Sequence, residues 1–344
     1  MAVVKADGYG HGAAETARAA LRAGARYLGV AFVDEGLQLR EAGIEAPILV
    51  LGHTPLRSVE AAVRGDLALT VFAPETVDEA AASASRLGRL ARLHLKADTG
   101  MARLGVRTSE EALALCRRAF ASEWVVPEGI FTHFAAADAD DPAVTNEQFD
   151  RFLSIVEALE REGFRFPIRH CCNSAATLRF PHMHLDMVRV GIALYGLTPG
   201  DRRLFPAHGL RPAMSLKTKV SSVKRLPPDR GVSYGHTFRT ARESVVATIP
   251  IGYADGLPRA LSNRGSALVR GRRIPVAGTV CMDQTMLDAT DAPDVRPGDD
   301  VLLFGVHDGE ELPCDEMASL LGTIHYEIVS SVGKRVPRLY REDF

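Results

Sequence analysis

The sequence predicts a (β/α)8 TIM barrel, an α/β fold, followed by a smaller, mostly β C-terminal domain. Eight short apolar runs recur up to residue 192, and most are separated by amphipathic segments with apolar residues at i, i+3 and i+4. Strands that alternate with helices form parallel βαβ units, and eight of them match a closed barrel better than an open sheet. From about Ala213 the helical periodicity stops, and strand-like runs follow one another with turns between them.

The predicted barrel strands are the eight apolar runs, at residues 2–5, 27–32, 48–51, 68–72, 91–96, 129–133, 168–172 and 187–192. The clearest helical patterns between them cover residues 13–21, 76–84, 110–119 and 147–159. Acidic residues directly follow Pro74 and Ser109. Negative charge is favourable in the first turn of a helix, so these positions support the predicted helix starts.

The second domain is predicted from strand-like runs at residues 216–223, 232–237, 244–251, 267–269, 274–282 and 300–304, followed by a short helix at 314–321. The glycine-containing stretch between Val269 and Ile274 is typical of a hairpin turn. A turn-rich segment at residues 196–203 closes the α/β part of the chain. We therefore predict two domains, at residues 1–206 and 207–344.

Composition excludes several classes of protein. The 344 residues carry 41 basic and 43 acidic side chains and a formal net charge of -2, so no excess of positive charge is present to bind a nucleic acid. The apolar runs are far shorter than the roughly 20 residues that span a bilayer. The five cysteines are odd in number, and the N-terminus does not resemble a secretion signal. These features predict a cytoplasmic protein.

Polar side chains stand at the ends of several predicted barrel strands, where barrel enzymes place their active sites. They are Lys5, Lys96, His133, Asn173, Ser174 and Arg189. A lysine at the end of a buried strand loses solvation, which lowers its pKa and favours the nucleophilic amine that forms a Schiff base. For either lysine taken alone, an amine that reaches water from the edge of the strand is the alternative.

Other motifs leave alternatives open. Residues 8–13 fit the pattern G-x-G-x-x-A, and Asp34 and Glu35 close the next predicted strand, as in a nicotinamide dehydrogenase. Eight strands followed by a β domain argue against that fold. Arg103 offers a planar fork suited to a substrate carboxylate, although a solvated arginine in a loop is the alternative. The acidic run at 138–141 lacks the glycine and distal glutamate of a calcium loop, so no metal site is predicted.

Motifs along nearly the whole chain resemble those of alanine racemases. They are Val4-Lys5-Ala-Asp-Gly-Tyr9-Gly-His-Gly12, Lys96-x-Asp-Thr-Gly-Met-x-Arg103-Leu-Gly, Thr132-His133-Phe-Ala, Asn173-Ser174-Ala-Ala, Val188-Arg189-Val-Gly191-Ile-x-x-Tyr195-Gly, Val232-Ser-Tyr234-Gly, Ile251-Gly-Tyr253-Ala-Asp-Gly256, Cys281-Met282-Asp-Gln, Tyr326-Glu327 and Arg335-Val-Pro-Arg338. The resemblance implies a barrel enzyme that uses pyridoxal 5'-phosphate. It implies interconversion of L-alanine and D-alanine, with D-alanine supplied to peptidoglycan.

The resemblance also implies a role for each matching residue. Lys5 binds the cofactor covalently, and the remaining cofactor-binding residues are Tyr9, His133, Asn173, Ser174, Arg189, Gly191 and Tyr326. Arg189 matches the residue that faces the pyridine nitrogen. Its guanidinium stays protonated and leaves that nitrogen without a proton, so the ring withdraws electrons more weakly than beside an aspartate. His133 matches the residue that fixes Arg189, although a hydrogen-bonded core histidine is the alternative.

Racemisation needs proton-transfer groups on both faces of the reacting carbon. By resemblance, Lys5 acts on the face of the D-enantiomer and Tyr234 on that of the L-enantiomer. Tyr234, Tyr253 and Met282 then belong to the other subunit of a homodimer that shares its active sites. Arg103 and the Met282 backbone match the substrate carboxylate site, with Tyr253 also contacting substrate, and Lys96 matches a lysine that is often carbamylated to orient Arg103.

Three alternatives remain within the same chemistry or fold. A broad-specificity or serine racemase would share all of these motifs, and a pyridoxal phosphate decarboxylase would share the two-domain build. A non-catalytic carrier of the cofactor would be a single barrel, which the second domain argues against. Members of the family usually have a few tens of residues before the strand that carries Lys5, so we expect the chain to be incomplete at its N-terminus.

Overall fold

The computed structural model describes residues 1–205 and 209–341. The chain divides into two compact units, Met1–Leu210 and Arg211–Phe344. The predicted boundary between residues 206 and 207 lies outside the described residues. Within the described ranges, no helix is both long and apolar enough to cross a membrane.

The first unit is built on a parallel sheet whose seven strands follow one another in chain order. They are β1 Ala2–Val3, β2 Leu28–Val30, β3 Ile48–Val50, β4 Leu67–Val71, β5 Ala91–Lys96, β6 Val125–Phe131 and β7 Ile168–His170. Seven of the eight predicted strands are therefore present. The eighth, predicted at residues 187–192, is not a regular strand, because only a single parallel bridge between Val190 and Ala2 is formed there.

That irregular segment nevertheless closes the ring. The backbone N–H of Arg189 donates to the Cys172 carbonyl at 3.0 Å, and the N–H of Val3 donates to the Val190 carbonyl at 2.9 Å. The segment thus lies between the last strand and the first, and the (β/α)8 barrel prediction is confirmed in its architecture. Residues after it turn at once into a 3-10 helix, Ile192–Tyr195, which explains why the apolar run was mistaken for a longer strand.

Helices follow the strands in alternation. They are α1 Ala13–Arg22, α2 Val33–Glu41, α3 Leu56–Arg64, α4 Pro74–Leu87, α5 Ser109–Phe120, α6 Ala143–Arg161 and α7 Ser174–Arg179. Local signals set their ends. Pro74 occupies the first turn of α4, Gly88 ends it at a φ of 61° in the left-handed region, and the Thr108 hydroxyl accepts the Glu111 N–H at 3.2 Å to cap α5.

The strands divide their side chains between two apolar layers, as their period of two requires. Ile48 and Val50 in β3 belong to the large buried cluster that includes the helices, whereas Leu49 between them belongs to a smaller cluster with Tyr27 and Phe131. In the same way, Leu93 and Leu95 of β5 join the large cluster. The alternate positions of the strands therefore point into the barrel, where the polar site residues lie.

The second unit is mostly β. Its strands are β8 Leu216–Lys219, β9 Ser222–Leu226, β10 Gly231–Val232, β11 Phe238–Arg239, β12 Ser244–Ile249, β13 Ser266–Val269, β14 Arg272–Pro275, β15 Thr285–Asp288, β16 Asp300–His307 and β17 Glu310–Leu312, followed by helices α8 Cys314–Leu321 and α9 His325–Ser330. One sheet has the order β15-β12-β9, another the order β14-β13-β16-β17 with β8 also on β16, and β10 pairs with β11.

The hairpin predicted after Val269 is confirmed. β13 and β14 pair in antiparallel register, and the two turn residues, Arg270 and Gly271, have φ values of 50° and 75°. This is the mirror-image turn that matches the twist of the flanking strands. Several predicted strands are wrong in extent: the run at 216–223 is split into two strands, that at 232–237 stops at Val232, and that at 274–282 stops at Pro275. The run at 244–251 ends two residues early, and that at 300–304 continues to His307.

Candidate active site

Lys5 lies two residues beyond β1 and begins a left-handed turn, so the prediction of a strand continuing to Lys5 is wrong. Ala6, Asp7 and Tyr9 have φ values of 52°, 53° and 51°. Each such residue costs about 1–2 kcal/mol relative to a right-handed conformation. The turn is held by the carboxylate of Glu35, which accepts the Ala6 N–H at 2.7 Å, and by that of Asp7, which accepts a backbone N–H of α1 at 2.9 Å.

The environment of Lys5 favours a neutral amine. Burial lowers the pKa of Lys5, the positive charge of Arg103 lowers it further, and the carboxylate of Glu35 opposes both effects. A lysine with a lowered pKa presents more of its nucleophilic form at neutral pH. Lys5 thus has the position and the electrostatics needed to react with a carbonyl compound.

Tyr9, Ser174 and Gly191 meet at the end of the barrel that carries Lys5. The N–H of Gly191 donates to the Ser174 hydroxyl at 2.9 Å. A Cβ at Gly191 would lie 2.6 Å from the Tyr9 hydroxyl, so only glycine leaves room for that phenol. Burial raises the pKa of Tyr9 to about 12, which keeps its hydroxyl protonated and able to donate a hydrogen bond. The Tyr9 and Ser174 hydroxyls thus lie together against the backbone of Gly191, which carries no side chain of its own.

Tyr195 packs against the Tyr9 side chain. Its ring centroid lies 4.9 Å from that of Tyr9, and its hydroxyl donates to the Val3 carbonyl at 3.0 Å.

The side chain of Asn173 caps a helix, because its oxygen accepts the Ala176 N–H at the start of α7 at 3.0 Å. Asn173 therefore fixes the start of the helix on which Ser174 stands.

Arg189 is 4% exposed and makes four hydrogen bonds inside the barrel. Its guanidinium donates to the carbonyls of Thr132 and Cys171, both at 2.9 Å, to Nδ1 of His170 at 3.0 Å and to Nδ1 of His133 at 3.1 Å. Burial lowers the pKa of Arg189 to about 10, so it remains protonated at neutral pH. Its planar orientation is fixed from four directions.

His133 is held neutral by its surroundings. Burial and then the charge of Arg189 lower the pKa of His133 well below its usual range, with smaller effects from Lys96 and Arg103. A neutral imidazole has one acceptor nitrogen, and the contact with Arg189 assigns that role to Nδ1. The structure thus brings together Arg189 and the histidine that the motifs had paired with it.

Lys96 is the last residue of β5 and is 5% exposed. Its amine has no hydrogen-bond partner among residues 1–205 and 209–341, and it lies 4.5 Å from the centroid of the Phe131 ring. Burial and then the charges of Arg189 and Arg103 lower the pKa of Lys96 well below that of an ordinary lysine. An isolated buried amine of this kind is unfavourable and calls for a chemical explanation.

Arg103 stands on a tight loop that follows β5. The loop is closed by a bridge between Ala97 and Val106, and the carboxylate of Asp98 accepts the backbone N–H groups of Gly100 and Ala102 at 3.1 and 3.0 Å. The Arg103 side chain is exposed, yet its charge acts on both Lys5 and Lys96. The loop therefore presents a cation beside the two lysines.

Sequence reasoning missed the roles of two residues at this site, His170 and Glu35. His170 is the last residue of β7, the same kind of position that drew attention to Lys96, and this signal was available. Glu35 drew attention only as the acid of a dinucleotide-binding pattern. In the structure it accepts N–H groups from Ala6, Ala31 and Phe32, at 2.7, 2.6 and 3.3 Å, and so joins the turn after Lys5 to the end of β2.

In the second unit, Tyr234, Tyr253 and Met282 share one region of the surface. They are 72%, 43% and 52% exposed. The N–H of Tyr253 donates to the Cys281 carbonyl at 3.0 Å, and the Ser233 hydroxyl lies 3.4 Å from the Cys281 sulfur. Backbone and side-chain contacts therefore hold the three predicted residues together.

Tyr326, the remaining predicted site residue of the second unit, lies on α9, where its ring stacks on that of His325 with centroids 5.2 Å apart.

Known proteins resemble both units of the chain. Sequence-family models match the alanine racemase N-terminal domain at residues 1–199 and the alanine racemase C-terminal domain at residues 213–340. The chain is 53% identical over 342 residues to alanine racemase 1 of Oceanobacillus iheyensis, covering 99% of this chain and 90% of that protein. It is 46% identical over 351 residues to alanine racemase 2 of Bacillus subtilis, covering 100% and 88%.

Solved structures give the same result. The crystal structure of alanine racemase from Bacillus anthracis with bound L-Ala-P superposes with a TM-score of 0.94 at 42% sequence identity, covering 99% of this chain and 88% of that one. The alanine racemase of Streptomyces coelicolor superposes with a TM-score of 0.93 at 40% identity, covering 100% and 91%. The resemblance inferred from the motifs is confirmed, and the dehydrogenase alternative is excluded. The chain belongs to the alanine racemase family.

Proposed function

We propose that the chain racemises alanine with pyridoxal 5'-phosphate, using Lys5 and Tyr234 as the two proton-transfer groups. The observation that carries this proposal is the arrangement around Lys5: a partly buried amine with a lowered pKa, the Tyr9 and Ser174 hydroxyls beside Gly191, and a fixed arginine inside the same barrel. The alanine racemase relatives support alanine as the substrate and D-alanine supply to peptidoglycan as its use.

The residues present fit the cofactor. The Tyr9 hydroxyl occupies the space that a Cβ of Gly191 would fill, and the Ser174 hydroxyl accepts the Gly191 N–H at 2.9 Å, which leaves the Ser174 O–H as a donor. Such donors suit a phosphate, and this is the part of a barrel that commonly binds one. In our proposal these three residues bind the phosphate, Asn173 positions Ser174, and Lys5 bonds covalently to the cofactor; the motifs assign Tyr326 to the cofactor as well.

Arg189 holds the ring nitrogen in this proposal. When bound, the cofactor withdraws electrons from the substrate and so makes its Cα–H bond acidic. A guanidinium that stays protonated donates to the ring nitrogen and does not transfer its proton to it. Arg189, fixed by His133 and three other acceptors, therefore keeps the withdrawal weak. This favours return of a proton to Cα over side reactions at other atoms.

Proton transfer is assigned to two groups on opposite faces of Cα. Lys5, whose pKa is lowered chiefly by burial, accepts a proton from Cα on the face of the D-enantiomer or returns one there. The Tyr234 side chain does the same on the face of the L-enantiomer, accepting the proton as a phenolate and returning it as a phenol. Arg103 binds the substrate carboxylate through its two parallel N–H groups, and the Met282 backbone completes that site with Tyr253 beside it.

A homodimer is part of the proposal. Tyr234, Tyr253 and Met282 expose large apolar side chains from one small region of the second unit. Exposed patches of this kind are typical of interaction surfaces. In our proposal this region completes the barrel site of the other subunit, so that each active site contains residues of both chains.

Carbamylation of Lys96 explains its isolated amine. The Nζ atom attacks carbon dioxide, a nitrogen–carbon bond forms, and the amine proton leaves to solvent, so the site gains a negative charge. A lowered pKa provides the neutral amine that this reaction needs. The carbamate then has two cations close to it, Arg103 and Arg189, and orients Arg103 toward the substrate.

The test of the two-base assignment is racemisation of each enantiomer by Tyr234→Phe. Both proton-transfer steps are needed for a full turnover, so we expect the variant to lose racemisation of L-alanine and of D-alanine while its absorbance spectrum still shows bound cofactor. Tyr340→Phe, which alters another exposed tyrosine of the same unit, is the control. Wild-type rates in both directions for Tyr234→Phe would refute the assignment.

The shared site has its own test. Lys5→Ala and Tyr234→Phe are each inactive as homodimers in this proposal. After subunit exchange, half of the dimers are mixed and each carries one complete site, so about a quarter of the wild-type activity returns. No recovery despite proven exchange would place both residues in the same subunit's site.

Comparing turnover of alanine, serine and lysine tests the broad-specificity alternative, which predicts serine turnover equal to or above that of alanine.

A further inference from the structure

Beyond Arg189, the barrel interior contains a row of polar side chains that the proposed mechanism does not use. It runs from His170 through His94 to Glu128 and Tyr27. We propose that the four residues beyond Arg189 form a directed hydrogen-bond chain that positions its guanidinium, with the carboxylate of Glu128 fixing the direction of every donor. Glu128, His94 and His170 are in this view positioning residues for the racemase site.

The chain is continuous. Arg189 Nη1 lies 3.0 Å from Nδ1 of His170, and Nε2 of His170 lies 3.0 Å from Nδ1 of His94. Nε2 of His94 lies 3.0 Å from Oε2 of Glu128, and the Tyr27 hydroxyl donates to the same oxygen at 2.7 Å. Each link is thus of normal hydrogen-bond length. Three contacts in series connect the carboxylate to the guanidinium.

The two ends of the row determine which group is the donor in each hydrogen bond. A guanidinium has only donors, so Nδ1 of His170 must accept and its proton must sit on Nε2. That Nε2–H donates to Nδ1 of His94, whose proton must then sit on Nε2 as well. A carboxylate has only acceptors, so it receives this last N–H. Both histidines are therefore neutral, with their protons on Nε2, and every link has one donor and one acceptor.

Burial enforces this order. His94 and His170 are both 0% exposed, and burial foremost lowers the pKa of each, so neither gains a second proton at neutral pH. Burial acts to raise the pKa of Glu128, but the hydrogen bonds from His94 and Tyr27 outweigh it and the pKa is lowered. The carboxylate therefore stays ionised and remains an acceptor.

Neighbouring residues are shaped to accommodate the two imidazole rings of the row. A Cβ at Gly129 would lie 2.3 Å from Nδ1 of His94, so the strand β6 leaves this space for the imidazole. The ring of Phe131 stacks on His170 with centroids 4.6 Å apart and planes 6° apart. Both rings are thereby held in the plane that their hydrogen bonds need. None of these contacts is explained by filling an apolar core.

The consequence for the reaction lies in Arg189. Without the carboxylate, His94 is free to carry its proton on Nδ1, where it meets the N–H of His170. Either ring then turns, and Arg189 loses the acceptor that fixes Nη1. A guanidinium held by fewer acceptors donates to the ring nitrogen in a less defined geometry. This functional part rests on the proposed role of Arg189, whereas the order of donors does not.

The first test is made on the protein free of cofactor and so is independent of activity. In histidine labelled with 15N, long-range proton–nitrogen correlation spectra distinguish the two neutral tautomers from the charged ring. We expect His94 and His170 both to carry the proton on Nε2 at pH 7, and Glu128→Gln, whose amide oxygen still accepts, to retain this pattern. A proton on Nδ1 of His170, or a doubly protonated ring at either position, would overturn the inference.

The second test uses the loaded enzyme. Glu128→Leu removes the acceptor, and we expect kcat to fall roughly tenfold with KM changed less than about twofold, as for loss of a positioning hydrogen bond. Glu128→Gln is expected to restore most of kcat, and Glu75→Leu, an exposed acid in the first turn of α4, is the matched control. The positioning role is refuted if Glu128→Leu keeps the wild-type kcat and returns protons to atoms other than Cα no more often than the wild type does. This holds even if His94 and His170 both carry their proton on Nε2.

Discussion

Replacing Lys96 with methionine is expected to stabilise the cofactor-free protein while it damages activity. The amine is buried without a hydrogen-bond partner among the described residues, and its pKa is lowered well below that of an ordinary lysine by burial and by two arginines. In the unfolded chain the same amine is solvated and protonated at neutral pH. Folding therefore has to remove either its water or its proton, and methionine requires neither.

The size of the effect follows from the lost hydration of the amine. Burying a polar group that gains no hydrogen bond in return costs about 1–3 kcal/mol, and more for a charged one. Methionine fills nearly the same volume, with some loss of packing. We expect a net gain of about 1–3 kcal/mol in the free energy of unfolding at pH 7.

The pH dependence gives the sign of the effect. Because the folded pKa lies below the unfolded one, the unfolded chain binds more protons between them, and the wild type becomes more stable as the pH rises through this range. Lys96→Met lacks this contribution. The advantage of the variant should therefore shrink as the pH approaches about 10.

The assay is urea unfolding in buffer free of carbon dioxide, followed by the fluorescence of Trp124, the single tryptophan, which packs against the barrel core. Arg26→Met, which removes an exposed cation of the same unit, is expected to change stability by less than about 0.5 kcal/mol. Adding bicarbonate should stabilise the wild type and leave Lys96→Met unchanged. A variant less stable than the wild type without bicarbonate would show that the amine is compensated, and the reasoning would fail.

Three further outcomes are expected. Gly191→Ala places a Cβ 2.6 Å from the Tyr9 hydroxyl, so cofactor binding, measured by titration of the apoprotein, should weaken at least about tenfold; unchanged binding would remove these residues from the phosphate site. Glu35→Ala leaves the Ala6 N–H and two others without an acceptor and should lower the free energy of unfolding by about 2–3 kcal/mol in urea titration; a loss smaller than about 0.5 kcal/mol would contradict the role of Glu35. Tyr195→Phe removes one buried hydrogen bond and should lower that free energy by about 1–2 kcal/mol, while a neutral result would show that water replaces the hydroxyl.

The barrel could be predicted from the sequence because each β/α unit has its own periodicity. The strand ends also led to Lys96 and Arg189, since a charged residue after a run of apolar ones is visible without knowledge of its partners. The last strand was predicted wrongly for a physical reason. The run at 187–192 is apolar enough for a strand, but Gly191 adopts φ of -104° and ψ of -100°, and a 3-10 helix begins directly after it.

Long-range contacts were not predictable. The left-handed turn after Lys5 depends on Glu35, which lies 29 residues beyond Ala6 along the chain. The row between Arg189 and Glu128 joins residues from four strands or strand ends, and its members look like ordinary core histidines and an ordinary acid in the sequence. Periodicity shows which face of a strand a residue occupies, whereas the partner across the barrel depends on the register of the whole sheet.

The irregular closing segment of the barrel links folding to ligand binding. Arg189 and Gly191 lie on either side of Val190, whose carbonyl accepts the Val3 N–H, so the seam between the last and first strands carries residues that the cofactor would contact. A seam without a regular ladder opens more easily than the rest of the sheet. A ligand bound there would keep the first and last strands together, because the seam could open only after the ligand had left. The amide of Val3 should then exchange its hydrogen with solvent more slowly in the protein with bound cofactor. The exchange rate of this amide would therefore report the fraction of sites that hold the cofactor.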